Sequence, residues 1–579
     1  MLKRTALAVF IPIILVLAGA NSPSQTLFIN ADVLTMDAAR SRASAVLIVG
    51  RRIVAVGTSD DILSRSKPGA SIVDLGGKTL LPGIIDAHSH FPASHLATAG
   101  LDLAAPPVGT VDTIATLLAR ISAAATIRGK DAWLLGFNYD DALLKEARHP
   151  TRIELDATAP DNPVYLSHSS GHMGVANSRA LSAFGIDWQS PNANAPEYLD
   201  GLRPGGQKNH AVSELIGLDE AGQASGLLQE RAAPKTSTLL KHIPRRRLLD
   251  VLFAAHDAYL ESGVTTVQNG HATTAMSWLL YSAQLLGLIP QRVIVWPAHL
   301  TAARFWSNGT PGILASPPNN DSFSTGAVKI IVDGSPQGQT AWLSAPYMAT
   351  PIEKFGDTGV ANLDLTELKD TVLHYHRAGQ QLALHGNGDA AIDIILDAVA
   401  YAQTHSPRTD TRHLLVHGQT LRRDQLPRLK QLDMGVSFFV AHSYFWGDWY
   451  RQRVLGEARA ASISPLAWAD EFGVNYSLHT DAPVTPMRPM QMIWSASERM
   501  TLSGVVLGPE LRIDRYRALE AITIDAAWQN RLDASRGSIE VGKLADLIVL
   551  SENPLTALDV RQIRVEQTWI DGKLQYSRH

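Results

Sequence analysis

Two histidines one residue apart are the first side chains in this sequence with an obvious chemical use. His88 and His90 belong to the segment Asp86-Ala87-His88-Ser89-His90, which ends an apolar run. Residues i and i+2 of a strand face the same way, so both imidazoles can bind one metal ion. A histidine at a strand end is otherwise an ordinary hydrogen-bonded residue. The spacing therefore predicts a metal site, with a structural pair as the alternative.

Further side chains suited to metal binding stand in or directly after other apolar runs. They are Lys329, His385, His417 and Asp481. Lys329 interrupts a run that otherwise is typical of a buried strand, and lysine is rarely buried without a partner. Either its amine reaches water at the end of a long stem, or the amine has captured carbon dioxide as a carbamate. A carbamate is an anionic oxygen ligand that can bridge two metal ions.

The elements that position these residues alternate between apolar runs and helical patterns. Eight runs are predicted as strands: 80–88, 263–269, 292–296, 327–333, 381–385, 413–417, 435–440 and 474–480. Eight strand–helix units favour an α/β fold, a (β/α)8 TIM barrel, in which the C-terminal strand ends converge on the active site. The gap between the first two runs predicts a large insertion after barrel strand 1, at about 91–262.

The two ends of the chain have a similar texture of short strands and tight turns. Residues 26–82 and 531–579 each contain several apolar runs separated by Gly, Asp or Ser, and Asp571-Gly572 is typical of a hairpin turn. Each end is too small to bury much surface by itself. We expect one β-sandwich built from both ends, which leaves 83–530 for the barrel and its insertion.

The composition excludes several classes of protein. The chain has 579 residues, 45% of them hydrophobic and 18% charged, which favours a large core over disorder. Its net charge of −4, without a dominant charged run, argues against a nucleic-acid partner. The absence of cysteine excludes disulfides, thiolate metal sites and a cysteine nucleophile. A serine hydrolase is disfavoured because no GxSxG segment stands at a strand–helix elbow, and no P-loop or dinucleotide fingerprint occurs.

The first twenty residues are typical of a secretory signal peptide. Lys3 and Arg4 precede an apolar run over 6–17, and Ala18-Gly19-Ala20 follows as a small-residue cleavage site. The run is short for a spanning helix, so a retained membrane anchor is the less favoured alternative. We expect residues 1–20 to be removed and the mature protein to be exported, periplasmic or secreted, without stable membrane insertion.

Several motifs in the correct order resemble those of the amidohydrolase superfamily, YtcJ-like branch (amidohydrolase family 3), which includes N-substituted formamide deformylases. The resembling segments are PGIIDAHSH at 82–90, VKIIVDGS at 328–335, HGNGDAAID at 385–393, VHGQ at 416–419, TDAP at 480–483 and GSIEVGKLADL at 537–547. Val416 and Thr480 depart from the branch's usual Glu and Ser. The resemblance covers essentially all of 26–579.

The resemblance implies a β-sandwich, a metal-containing barrel and a set of roles. His88 and His90 would hold the more buried ion with Asp481 nearby, and His385 and His417 would hold a second ion. N6-carboxylated Lys329 would bridge the two. Members differ in metal number, so one ion is the alternative to two. Zinc is the expected metal, because histidine and carboxylate ligands suit it.

A mechanism and a substrate class follow from that site. Metal ions lower the pKa of water, and Asp481 would act as general base and then as general acid toward the leaving nitrogen. His172, in a segment that resembles the family's GHxxxxNxxAL, would steady the oxyanion or anchor the substrate; loop packing is its alternative. The expected function is hydrolysis of a C–N bond in a small amide, such as an N-substituted formamide. An ester, lactone or carbamate hydrolase remains open, as does a degenerate binding or regulatory protein, which would require broken metal motifs.

Aromatic and polar residues near the predicted strand ends are candidates for the substrate pocket. Besides His172 they are Phe137, Tyr139, Trp342, His442 and Trp446. Aromatic walls suit apolar groups, and ordinary packing is the alternative. Gly136-Phe137-Asn138-Tyr139-Asp140 stands where the branch often has a GWD-like segment, so the substrate of a relative does not transfer directly. A homo-oligomer is left open.

Overall fold

The computed structural model describes residues 24–191, 215–299, 301–302, 316–348 and 358–578. The predicted signal peptide, residues 1–20, lies outside them. The strands of the described part are, in chain order, β1 Gln25–Ile29, β2 Asp32–Leu34, β3 Arg42–Ala43, β4 Ala45–Val49, β5 Arg52–Gly57, β6 Ser71–Asp74, β7 Thr79–Pro82, β8 Ile84–Ile85, β9 Leu101–Asp102, β10 Leu134–Tyr139, β11 Val164–His168, β12 Met173–Ala176, β13 Ile216–Leu218, β14 Ala224–Gln229, β15 Val264–Ala272, β16 Arg292–Pro297, β17 Phe323–Thr325, β18 Val328–Ile331, β19 Leu382–Gly386, β20 Leu414–His417, β21 Gly435–Phe438, β22 Tyr476–Leu478, β23 Leu547–Leu550, β24 Val565–Ile570 and β25 Lys573–Ser577.

The α-helices lie mostly between these strands. Those of the described residues are Ser59–Ser64, Ile114–Arg128, Arg152–Thr158, Ser178–Ala183, Thr236–Leu240, Arg245–Glu261, Thr274–Leu285, Leu365–Arg377, Asp389–His405, Leu426–Gln431, His442–Phe445, Gly447–Trp449, Glu457–Ala461, Leu466–Glu471, Pro489–Glu498, Arg515–Ala521 and Ile524–Gln529. No helix within this part of the chain is both long enough and apolar enough to cross a bilayer.

Two parallel sheets carry most of the predicted runs. Their strand orders are β17-β16-β15-β8 and β18-β19-β20-β21-β22, and every neighbouring pair is parallel. A parallel bridge between Ala298 and Lys329 joins the two sheets at one side. At the other side the amide of Asp481 donates to the carbonyl of His88 at 3.1 Å, and that of His90 donates to the carbonyl of Ala482 at 2.9 Å. Parallel strands with intervening helices make this an α/β fold.

The first predicted run, 80–88, is not one strand. Its first half is β7, which pairs with β2 and β23, and its second half is the short β8, which pairs with β15. Pro82 has no amide hydrogen to continue a ladder. A Cβ on Gly83 would lie 2.3 Å from the side chain of Thr265, so this close crossing admits only glycine. The strand therefore changes sheets at Pro82-Gly83.

The two ends of the chain share one six-stranded sheet of order β25-β24-β23-β7-β2-β3. A four-stranded sheet, β5-β4-β1-β6, packs on it through a common apolar cluster, in which the rings of Phe28 and Trp569 meet edge to face at 5.0 Å. The predicted hairpin is confirmed: β24 and β25 are antiparallel, and Asp571 and Gly572 both have positive φ.

A separate six-stranded sheet lies between β8 and β15 in the chain, with the order β13-β14-β12-β11-β10-β9. Its flanking helices begin at conventional caps. Thr113 caps Ile114–Arg128, and Thr151 forms a reciprocal capping box with Glu154 at the start of Arg152–Thr158. This insertion sheet carries the segment from Tyr139 to His172 toward the ends of the parallel strands.

Candidate active site

Three of the predicted metal-binding residues meet directly. Asp481 Oδ1 lies 3.1 Å from His90 Nε2 and 3.5 Å from His88 Nε2. The two histidines do not reach this position as neighbours on one face of a strand, because β8 ends at Ile85 and both follow it in the loop, His88 at a bend. The sequence prediction of convergence is correct for these three, but its reason, strand alternation, is wrong.

His88 is held with one ring nitrogen directed into this group. Its Nδ1 lies 3.2 Å from the side-chain oxygen of Gln268, which can only accept, so Nδ1 carries the hydrogen and Nε2 keeps its lone pair. The ring stacks on Trp296, and Gln268 and Trp296 both donate to Asn530. A Cβ on Gly270 would lie 2.0 Å from the ring, so that position must be glycine.

Lys329 lies in β18 with its amine inside the protein. It is 2% exposed, and Nζ is 2.9 Å from His88 Nε2. Burial lowers the pKa of Lys329 to about 7, although the charge of Asp481 opposes this shift. The alternative in which the amine extends to water does not describe this lysine.

His385 and His417 complete the group at the ends of β19 and β20. Their ring centroids are 4.5 Å apart, and His417 lies 5.4 Å from His88. His385 Nε2 is 3.1 Å from the carbonyl oxygen of Gly334 and 3.4 Å from Asp333 Oδ1. All six predicted residues are therefore neighbours. We call them the inner cluster: His88, His90, Lys329, His385, His417 and Asp481.

The electrostatics of the inner cluster suit a bound cation. Burial lowers the pKa of His88 and of His417 well below the ordinary value, so both rings offer neutral lone pairs. Burial raises the pKa of Asp481, but His90, His479 and Lys329 outweigh it and keep the carboxylate ionised. Asp481 Oδ1 is buried, yet no hydrogen bond of good geometry reaches it from the described residues. The neutral rings of His88 and His417 beside an unsatisfied carboxylate oxygen fit a divalent metal.

Two residues of the inner cluster have strained backbone. His417 has a φ of 77° and Asp481 a φ of 52°, values that cost free energy for residues other than glycine. Such strain persists only where the surrounding structure enforces it, and it clusters at functional sites.

A small cavity opens beside the inner cluster. Its volume is about 10 Å³, room for little more than one water molecule, and its lining comprises Ser170, His172, Ser335, Gln337, His385, Asn387, His417, Phe439, His442, Asp481 and Val484. His172 Nδ1 is 3.0 Å from Glu230 Oε2. Burial lowers the pKa of His172, but the charge and hydrogen bond of Glu230 outweigh this effect and raise it. The arrangement places a hydrogen-bond donor and the carboxylate of Asp481 in the lining of the same cavity.

The predicted pocket residues divide into two groups. His172 and His442 line the cavity, with the His442 ring held by the hydroxyl of Tyr450. Tyr139 lies inside β10 rather than after it, is fully buried, and contacts His149. Trp446 is also buried and donates to Asp140. Neither these two, nor Phe137, nor Trp342 lies in the lining.

Sequence reasoning missed several residues that hold the site. His479 is buried, contacts His417 Nδ1 at 3.1 Å and is held by Ser437. It stands two residues before Asp481, but β22 ends at Leu478, so strand alternation would not have identified it. Asp333 accepts the amide hydrogens of Asn387 and Gly388 and thereby ties the loop after β19 to the loop after β18. Glu230 carries no local signal, because its partner is distant in sequence.

A second group of carboxylates and histidines lies in the insertion sheet. His168 Nε2 is 3.0 Å from Asp141 Oδ1 and 3.7 Å from Asp140 Oδ1. These three also have atoms spaced closely enough to surround an ion. We call Asp140, Asp141 and His168 the outer cluster.

Comparison with known proteins places this geometry in context. A model described as the amidohydrolase family matches residues 71–576. Over 565 residues the chain is 29% identical to the N-substituted formamide deformylase of Arthrobacter pascens, covering 95% of this chain and 98% of that protein. It is 25% identical to the putative amidohydrolase YtcJ of Bacillus subtilis, covering 94% and 98%. A solved structure of an uncharacterized metal-dependent hydrolase from Pyrococcus horikoshii matches with a TM-score of 0.69 at 24% identity, covering 93% of this chain and 99% of that one.

Proposed function

Because the chain belongs to the amidohydrolase family and is a metal-dependent hydrolase of carbon–nitrogen bonds, we propose that it hydrolyses small N-acyl compounds, with N-substituted formamides as the first candidates. The observation that carries this proposal is the convergence of His88 and His90 on the unsatisfied Oδ1 of Asp481, with the rest of the inner cluster beside them. The name of the Arthrobacter relative supports formamides. The small cavity also favours a small acyl group next to the metal residues.

The inner cluster would hold the metal, for which we propose two zinc ions. His88 and His90 would bind one, His385 and His417 the other, and Asp481 would lie at the first. We propose that Lys329 is carboxylated, and its carbamate would supply an anionic oxygen ligand to each of the two. A buried amine with a pKa of about 7 is largely neutral at pH 8, and only a neutral amine captures carbon dioxide. When bound, the ions lower the pKa of water and polarise a carbonyl group.

The remaining chemistry belongs to the side chains. Asp481 takes one proton from the attacking water as the new C–O bond forms. His172 donates a hydrogen bond to the substrate oxygen on which negative charge develops. Asp481 then gives its proton to the nitrogen as the C–N bond breaks. The products are an amine and a carboxylic acid, formic acid for a formamide, and one water is consumed.

Metal content and matched substrates test this function together. Plasma mass spectrometry should find about two zinc ions per chain in protein grown with zinc and bicarbonate. Lys329→Ala should hold far less metal. The same preparation should cleave para-nitrophenyl formamide faster than the matched formate ester, relative to their uncatalysed rates. Metal-free protein with no amide turnover would contradict the proposal.

We further propose the architecture and location expected from the sequence. Backbone contacts at both sides of the two parallel sheets support their closure into one (β/α)8 barrel, with the insertion after its first strand. The shared end sheet supports a β-sandwich domain built from 26–82 and 531–579. The charged and apolar pattern of residues 1–20 supports export. Sequencing the amino terminus of the protein from an expressing bacterium tests export: a start near Asn21 is expected, and an intact start at Met1 would contradict it.

A further inference from the structure

Glu230 is a buried carboxylate that binds the ring of His172 beside the active-site cavity. We propose that Glu230 is a positioning residue for the reaction. It fixes the His172 ring with Nδ1–H toward the carboxylate, so that Nε2 is the only ring nitrogen left for the substrate. This inference rests on the role of His172 in the proposed function.

The backbone brings the two residues together. Strands β12 and β14 are antiparallel, with Met173 opposite Gln229. His172 and Glu230 extend this pairing by one step, and the amide of Glu230 donates to the carbonyl oxygen of His172 at 2.6 Å. Directly opposite side chains in such a pair are close enough to interact. The contact of 3.0 Å between His172 Nδ1 and Glu230 Oε2 is therefore set by the register of the insertion sheet.

Placing Glu230 there has a cost that packing does not explain. Its side chain is only 5% exposed, and burying a carboxylate is unfavourable unless it is paired. Its φ is 46°, in the left-handed region that non-glycine residues disfavour. Strain and a buried charge at one residue next to a cavity point to a functional constraint.

The neighbouring motif leaves space for this carboxylate. A Cβ on Gly334 would lie 2.4 Å from Glu230 Oε1, so a larger residue would displace the side chain. The carbonyl oxygen of Gly334 also contacts His385 and Asn387. The loop after β18 thus accommodates Glu230 on one side and supports a residue of the inner cluster on the other.

The orientation of His172 follows from hydrogen-bond chemistry. An ionised carboxylate only accepts, so Nδ1 must carry the hydrogen in this contact. The substrate oxygen also only accepts, so Nε2 must carry a hydrogen as well, and the ring acts as an imidazolium, the form that a carboxylate partner stabilises. Without Glu230 the ring can turn over or lose the hydrogen from one nitrogen. A donor fixed in advance is worth more in the transition state than one that must first be oriented.

Glu230→Gln tests the inference. Glutamine keeps the size of the side chain but has no charge, and its amide can present either oxygen or NH2 to His172 Nδ1, so it does not fix the ring. With para-nitrophenyl formamide we expect kcat to fall about 10- to 100-fold, with KM and zinc content unchanged. Glu230→Asp should recover part of kcat, because it restores the charge. The low-field imidazole N–H resonance of His172, identified by its absence in His172→Asn, should disappear in Glu230→Gln.

Combining the substitutions separates positioning from a general structural role. In a His172→Asn background Glu230→Gln should cause no further loss of kcat, since both act through the same ring. Additive losses, or wild-type kcat in Glu230→Gln while His172→Asn is impaired, would overturn the inference and leave the proposed function intact. Wild-type kcat in His172→Asn would instead refute the role of His172 on which the inference rests.

Discussion

The inner and outer clusters are both buried groups of histidines and carboxylates, but they differ in how completely their polar atoms are hydrogen-bonded. In the inner cluster, Asp481 Oδ1 receives no well-formed hydrogen bond from the described residues, and His88 Nε2, which has no hydrogen to donate, lies 3.5 Å from it. In the outer cluster, Asp140 accepts from Ser169 at 2.8 Å and from the Trp446 indole at 3.0 Å. His168 Nδ1 donates to the hydroxyl of Ser170 at 2.9 Å, and its Nε2 contacts Asp141.

The protonation of the histidines also differs between the two clusters. Burial lowers the pKa of His88 and His417, which leaves the inner cluster with neutral bases. Burial also lowers the pKa of His168, but hydrogen bonds to Asp140 and Asp141 outweigh it and raise the value to about 9. The outer cluster thus carries its own cation. Residue types and spacing alone do not separate a metal site from an ion-pair network; the unsatisfied lone pairs do.

The largest expected effect distinguishes the function of the two clusters. It compares one carboxylate-to-amide substitution in each cluster. Asp481→Asn removes the proposed proton carrier, and we expect amide turnover to fall about 10²- to 10⁴-fold. Asp141→Asn changes a carboxylate of the outer cluster and should keep most of the turnover and the full zinc content. Steady-state kinetics and metal analysis of both proteins check this. Equal losses in the two variants would remove the functional distinction between the clusters.

The sequence predicted the members of the inner cluster better than the reasons for their meeting. The ordered motifs identified six residues that the fold brings together. Strand alternation did not place His88 and His90, because β8 stops before them. His479 was not predicted, although it is two residues from Asp481, because it lies just before the TDAP segment at 480–483 that marks the carboxylate.

The insertion was the least predictable part of the site. Its residues reach the inner cluster through a sheet whose register cannot be read from one sequence. Tyr139 and Trp446 resemble pocket residues in the sequence, yet they line the outer cluster, because the insertion packs over the loop after β21. The role of Glu230 can be inferred only from the fold, through its contact with His172.

A smaller effect is expected from a residue that only orients a ligand. Gln268→Leu removes the acceptor that fixes the His88 tautomer, and we expect zinc affinity to fall about 10- to 100-fold. Gln291 offers a matched control, because it is a buried glutamine that contacts His256 at 2.8 Å, away from both clusters. Titration with a competing chelator should show weakened zinc binding in Gln268→Leu. Gln291→Leu should bind zinc as tightly as the wild type. Unchanged zinc affinity in Gln268→Leu would mean that His88 needs no fixed tautomer.

The smallest effect concerns stability and belongs to the outer cluster. The pKa of His168 is about 9 in the folded protein, above its ordinary value of about 6.5. Its protonation therefore contributes stability that is complete below pH 6.5 and disappears as the pH rises to 9, with a full value of about 3 kcal/mol. The thermal midpoint of His168→Gln should lie a few degrees below that of the wild type near pH 6, and the gap should narrow as the pH approaches 9.

Tyr139→Phe is the control for this pH dependence, because it removes a contact with His149 without removing the charge of His168. Its midpoint should differ from the wild type by a similar amount at every pH in that range. A gap for His168→Gln that stays constant from pH 6 to 9 would mean that His168 is not protonated in the folded protein. The outer cluster would then hold an uncompensated pair of carboxylates and would resemble the inner cluster as a place for a cation.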